Sequence, residues 1–203
     1  RELSNIFDET YIEQGKAKDV NRKYQFCKSF EEATTLMFFQ SDWFLKNSDI
    51  IQEDILTTKP KNILELGTSL GITTAYLSSA NKKASITTIE GDSTIFNMAK
   101  SNFKKLGLKN VNIINSSFDQ ILPTILKNKF DLIFFDGNHS KEATLRYFKW
   151  AKINMNRESI YVFDDIYWSK GMYEAWSQIC GDPDVSLSID LFSVGIVFFH
   201  EID

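Results

Sequence analysis

The chain has few of the residues that chelate or break structure. Among 203 residues there are two cysteines, Cys27 and Cys180, and two histidines, His139 and His200. They lack zinc-finger spacing, which excludes that class. The three prolines fall at boundaries: Lys59-Pro60 stops a helical segment, Asp182-Pro183-Asp184 is a turn, and Pro123 suits the first turn of a helix and not its interior. No apolar run reaches the length of a membrane span, and the opening RELSNIFDET is too polar for a secretory leader. A cytoplasmic location without a membrane partner is the expectation. Net charge is −4 with lysine and arginine scattered, so there is no basic footprint for nucleic acid. Internal repeats and low-complexity tracts are missing too.

What remains is ordinary for a soluble globule: 43% hydrophobic and 25% charged residues, in a length that makes one domain with a full core. Residues 1–58 read as a helical segment of that domain. Ser29 and Glu32 fit a capping box, Ala33, Leu36, Met37, Trp43 and Phe44 recur at helical spacing, and Asp49 can cap a further helix through Ile55. The segment reads as a cover over one sheet edge or as a homodimer surface. Tyr11, Phe26 and Trp43 fit core packing better than substrate contact.

Residues 59–203 alternate apolar runs with amphipathic stretches, the pattern of βα repeats and a parallel sheet. Strands are expected at 62–66, 85–89, 111–114, 131–135 and 159–163. Helices are expected at 70–80, 93–106, from about 121, 141–153 and 170–179. A hairpin of 185–191 and 194–199, turning around Ser193 and Gly195, closes the chain.

The organising stretch is NILELGTSLGITTAYL, residues 62–77. An apolar strand, a glycine turn and a helix bring backbone N–H groups and a helix N-terminus to an anionic or polar ligand. Gly67 lets the chain turn without a Cβ clash, and Gly71 lets a ligand or helix come close. Glu65 ends a buried strand, where a carboxylate is costly unless paired; a ligand amine would be such a partner. Glu90 follows the second strand, 19 positions beyond Gly71, where a carboxylate accepts ribose hydroxyls. Asp92 either shares that work or caps the next helix.

Two other chemistries meet obstacles. A short-chain NAD dehydrogenase needs Tyr-x-x-x-Lys after the turn, and the only such pair, Tyr24 to Lys28, precedes it. Gly67-Thr68-Ser69-Leu70-Gly71 matches a nucleophile elbow, with Asp164 and His200 in hydrolase order. An elbow, however, comes after several strands, and His200 ends a strand.

FDLIFFDGNHS and YVFDDIYW place Asp136, His139, Asp164 and Asp165 at the carboxyl edges of the fourth and fifth strands. Three converging carboxylates call for a cation or a shared proton, and hard oxygen ligands suit Mg²⁺ or Ca²⁺. Capping of the following helices is the alternative use of these acids.

ELGTSLGIT resembles motif I of the class I S-adenosylmethionine-dependent methyltransferases, in the form found in catechol-type O-methyltransferases and their bacterial relatives with D-G-x-H-S. The resemblance covers about residues 60–200. It implies a Rossmann-like three-layer α/β sandwich with a seven-stranded, mostly parallel sheet, its last strand antiparallel. It implies S-adenosylmethionine held by Glu65, Gly67, Ser69 and Gly71 of the turn, by Thr73 and Glu90, and by Ser117, Phe118 and Asp136 beyond. It implies a divalent cation such as Mg²⁺ on Asp136, Asp164 and Asp165, gripping a small-molecule acceptor. Where catechol enzymes carry a lysine base, this chain has His139, a good base at neutral pH, so catechol itself is not implied. Tyr167, Trp168, Met172 and Trp176 are candidates for the acceptor pocket or the core. The implied reaction is O-methylation, with His139 and Asp136 catalytic. A metal-independent methyltransferase and a non-catalytic nucleoside-binding module are the alternatives.

Overall fold

The structure, a computed structural model, describes residues 60–199. The expected cover over 1–58, with Tyr11, Phe26 and Trp43, lies outside them, as does His200. Twelve elements run in order: β1 (Asn62–Leu66), α1 (Ile72–Ala80), β2 (Ser85–Glu90), α2 (Ser93–Lys105), β3 (Val111–Asn115), α3 (Phe118–Ile125), β4 (Leu132–Phe135), α4 (Lys141–Lys152), β5 (Ile160–Asp164), α5 (Lys170–Cys180), β6 (Leu187–Asp190) and β7 (Val194–Phe198).

They form one seven-stranded sheet ordered β3-β2-β1-β4-β5-β7-β6. Its first five strands are parallel, and β7 runs antiparallel to both β5 and β6. Strand order reverses between β1 and β4, which opens a crevice at their carboxyl ends, where ligands of open α/β sheets bind. Because β7 is antiparallel, Val194 pairs with Asp164. The β6–β7 turn therefore sits at the same edge.

Strand alternation divides the core. Leu64, Leu66, Ile133, Phe135, Tyr161 and Phe163 share a large cluster with Leu122, Tyr147, Phe148 and Trp176 from α3, α4 and α5. Ile63, Ile86 and Leu132 occupy the other face in a smaller cluster. Glu65 faces that side, where α1 lies, because it alternates with Leu64 and Leu66.

Two local expectations are corrected. The helix placed near Ile121 begins at Phe118 and keeps Pro123 inside it. Ser117 accepts the N–H groups of Gln120 and Ile121 and starts the helix earlier. With only eight residues, it loses a single bond to the proline. The closing hairpin turns at Phe192, in the left-handed region with φ 72, and Ser193. Gly195 lies inside β7, where an added Cβ would come 2.6 Å from the Trp176 ring. Glycine there makes room for an indole.

Candidate active site

Glu65 is fully buried at the end of β1. Its Oε2 accepts from the Thr88 hydroxyl at 2.6 Å and from the Thr74 hydroxyl. Thr88 is its register partner on β2, and Thr68 lies 2.6 Å from the Thr88 oxygen. Thr88 spends its one proton on Glu65, so Thr68 donates to Thr88. Oε1 has no hydrogen-bond partner among the described residues. Burial, reinforced by the charges of Asp136 and Glu90, pushes this carboxyl up to about 8 in spite of the two hydroxyls.

The turn itself is fixed by backbone. Gly67 (φ 104) and Thr68 both donate to the Ile89 carbonyl at 3.1 Å. A Cβ on Gly67 would stand 1.9 Å from the Asp136 carbonyl oxygen. Gly71 (φ 84) makes room for a helix, since a Cβ there would meet the Phe103 ring of α2 at 2.3 Å. The helix approach expected of Gly71 is made by that ring. Gly71 also starts α1 without a side-chain hydrogen-bond cap or an acid in the first turn. The first N–H groups of α1 are thus available to an anion.

Glu90, half-buried at the end of β2, accepts the Ser69 N–H at 2.9 Å and the Asp92 N–H at 3.0 Å, one on each oxygen. Desolvation raises its pKa against the pull of those bonds. Each carboxylate oxygen keeps a lone pair for a ligand hydroxyl. Asp92 caps α2 through the N–H groups of Thr94 and Ile95, which settles its role.

Across the crevice, Gly137 packs between β1 and Phe118: a Cβ there would lie 2.8 Å from the Phe118 ring and 3.3 Å from the Leu66 carbonyl. Phe118 meets Tyr147 edge-on at 5.6 Å. Ser117 starts α3 without a side-chain cap bond and is exposed. Thr73 is half-buried in the first turn of α1. The hydroxyl on Glu65 belongs to its neighbour, Thr74.

His139 Nε2 lies 3.6 Å from Asp136 Oδ1 and 3.7 Å from Asp165 Oδ2. Asn138 (φ 52) and Asp165 (φ 57) hold the left-handed backbone that aims these loops. Asp164 is the buried last residue of β5. Among the described residues no three His, Cys, Asp or Glu side chains are placed to hold a metal ion. The cation set expected of Asp136, Asp164 and Asp165 is not assembled among the described residues: Asp136 and Asp165 face a single imidazole nitrogen.

The four acceptor-pocket candidates divide. Met172 and Trp176 are buried in the core, whereas Tyr167 and Trp168 are exposed. Tyr167 stacks on Tyr173 and on Phe192. Asp190 accepts from the Tyr167 hydroxyl at 2.7 Å and from the Trp176 indole at 3.2 Å. Thr68, Thr74, Thr88 and Asp190 are site residues that the motifs did not reveal. A buried acid must be hydrogen-bonded, so threonines near Glu65 were the available signal, but choosing among them needs the β1–β2 register.

A parallel sheet with this strand order, an acid before a glycine turn and a second acid after β2 define the class I methyltransferase fold. The methyltransferase-domain family matches residues 64–166, just over half of the chain, and the chain belongs to it. It is 31% identical over 125 residues to O-methyltransferase hkm8 of Aspergillus hancockii, covering 60% of this chain and 47% of that protein. It is 35% identical over 96 residues to a catechol O-methyltransferase of Niastella koreensis, covering 45% and 42%. The chain thus spans less than half the length of these relatives. An O-methyltransferase from Bacillus cereus, solved in complex with SAH, superposes with a TM-score of 0.67 at 20% identity, over 97% of this chain and 90% of that one. No described helix is long and apolar enough to cross a membrane.

Proposed function

We propose that this protein transfers a methyl group from S-adenosylmethionine to a hydroxyl of a small molecule. The observation that carries the proposal is the pairing of opposite polarities on one turn. An uncapped helix N-terminus suits a carboxylate, while Glu65, with a buried unpartnered oxygen, suits an ammonium, and Glu90 suits a ribose. That is the chemistry of an amino-acid nucleoside. Family membership and the relatives named O-methyltransferase point the same way.

When bound, S-adenosylmethionine supplies a methyl group activated on a sulfonium. The residues of this chain do the rest. Glu90 and the turn N–H groups orient the nucleoside, with Gly67, Ser69, Gly71 and Thr73 along it and Ser117 and Phe118 beside the base. His139 takes the proton of the acceptor hydroxyl. Asp136 and Asp165 hold the imidazole ring and stabilise the imidazolium that forms. Tyr167 and Trp168 offer exposed rings to the acceptor.

A second reading keeps the divalent cation on Asp136, Asp164 and Asp165. It is favoured by the convergence of Asp136 and Asp165 on a single point, but requires His139 to leave that point. Chelation separates the two: turnover that survives EDTA supports the imidazole alone, and loss restored by Mg²⁺ supports the cation. The proposal includes a cytoplasmic location and a homodimer, whose mass light scattering of the full chain checks.

The test of the proposal is ligand-induced stabilisation followed by turnover. S-adenosylhomocysteine well above its Kd should raise the Tm, by ligand linkage of about 2–4 kcal/mol, and NAD should not. A panel of phenols and sugars should then give methylated product. Stabilisation by NAD alone sinks the proposal, and S-adenosylhomocysteine binding without turnover on any acceptor leaves the nucleoside-binding module.

A further inference from the structure

We infer that Glu65 carries a proton in the empty protein and surrenders it when the cofactor's ammonium group arrives, so that cofactor binding expels a proton. The inference rests on the cofactor reading above and adds to it a change of charge at the site.

The geometry supplies the reasons. Glu65 is 0% exposed, so water cannot solvate its charge. A buried carboxylate is tolerated when several donors share it. Here donors reach only one oxygen, from Thr74 and Thr88, and Oε1 has none among the described residues. In the ligand-free protein a proton removes the charge that no donor on Oε1 stabilises.

The charged groups acting on Glu65 work in the same direction. Asp136 from the end of β4 and Glu90 from the end of β2 are both acids, and both disfavour a third negative charge. The threonines on the other sides are neutral: Thr74 from α1, Thr88 from β2 and, through Thr88, Thr68 of the turn.

An ammonium arriving at Glu65, with Glu90 left to the ribose, reverses the balance. It supplies the opposite charge that the cluster lacks, the carboxyl ionises, and the proton passes to the buffer. No covalent bond other than O–H is broken. The carboxyl of Glu65, neutral in the ligand-free protein, accepts its charge once a cation lies against it.

Isothermal titration of the full chain with S-adenosylhomocysteine tests this. At pH 6.5 the ligand's amine is already protonated, so any released proton comes from the protein. Binding heats measured in buffers of different ionisation enthalpy should reveal release of about one proton per ligand. Glu65→Gln, which copies the neutral form, should release close to none.

Infrared difference spectra, complex minus free, give an independent readout on the unaltered protein. A protonated-carboxyl band should disappear on binding. Heats independent of buffer, an unchanged carboxyl band, or full proton release by Glu65→Gln each overturn the inference. Absence of any binding heat or thermal shift is a different failure: it removes the cofactor reading, and this inference with it.

Discussion

A carboxyl group as deeply buried as that of Glu65 makes the stability of the ligand-free protein depend on pH. The group ionises near 4.5 in an unfolded chain and near 8 in the folded one. Between those values the folded protein holds a proton that the unfolded chain has lost. The contribution from Glu65 is therefore fully present below about 4.5, falls as pH rises, and is gone above about 8. The slope is about 1.4 kcal/mol per pH unit at most. Denaturant titrations at pH 5, 7 and 9 should show Glu65→Gln flatter than the unaltered protein, and parallel profiles would contradict the burial argument. His139 makes a different kind of prediction. Its ring is held by two carboxylates and its proposed work is on the acceptor, so His139→Gln should slow turnover by roughly 10²–10⁴-fold while leaving S-adenosylhomocysteine affinity unchanged by titration. Equal losses in both would make it a structural residue.

At the scale of elements, the strand–turn–helix unit depends on two glycines for different reasons. Gly71 opposes the ring of Phe103, a side chain, whereas Gly67 opposes the carbonyl of Asp136, which is backbone. Gly71→Ala should cost roughly 1–3 kcal/mol through overpacking and a left-handed φ, and Phe103→Leu should recover part of it. Gly67→Ala should cost more, and Phe103→Leu should not rescue it; denaturant midpoints of the two glycine variants, each with and without Phe103→Leu, decide. Sequence pattern located most of these elements because apolar alternation and capping residues mark their ends. β1 fell on 62–66, and Asp92 announced α2. It failed at α3, where a rule about proline interiors outweighed the Ser117 turn, and at Gly195, whose tolerance of Trp176 is a contact between distant residues. The acids of the site were legible as exceptions at strand ends. The threonine shell and the imidazole between Asp136 and Asp165 were not, because both depend on which strands lie side by side.

For the whole molecule, periodicity implies a parallel sheet but says nothing of its order; family resemblance supplied the seven strands and the antiparallel last one, and the structure supplied the order. The observed order puts β1 at the centre, with β2 and β3 to one side and β4, β5, β7 and β6 to the other. A ligand held as proposed, by Glu65, Glu90 and Asp136, would touch both sides of the β1–β4 reversal without reaching the outer hairpin. Hydrogen exchange read by mass spectrometry should show S-adenosylhomocysteine slowing amides in 67–71, 90–92 and 136–139. Those of β6, at the far edge, should be unaffected. Uniform protection across the sheet would instead indicate global stabilisation with no local seat.

The contact between Gly67 and the Asp136 carbonyl bears on how such a protein could change what it modifies. Main chain lies against main chain there, with no side chain between that could be exchanged for a longer or shorter one. The spacing between the turn after β1 and the end of β4 is thus written into the covalent frame. Substitution cannot retune it gradually. Under the proposed reaction, adaptation to a new acceptor falls to the exposed rings of Tyr167, Tyr173 and Phe192, where shape can drift while this gap stays the same.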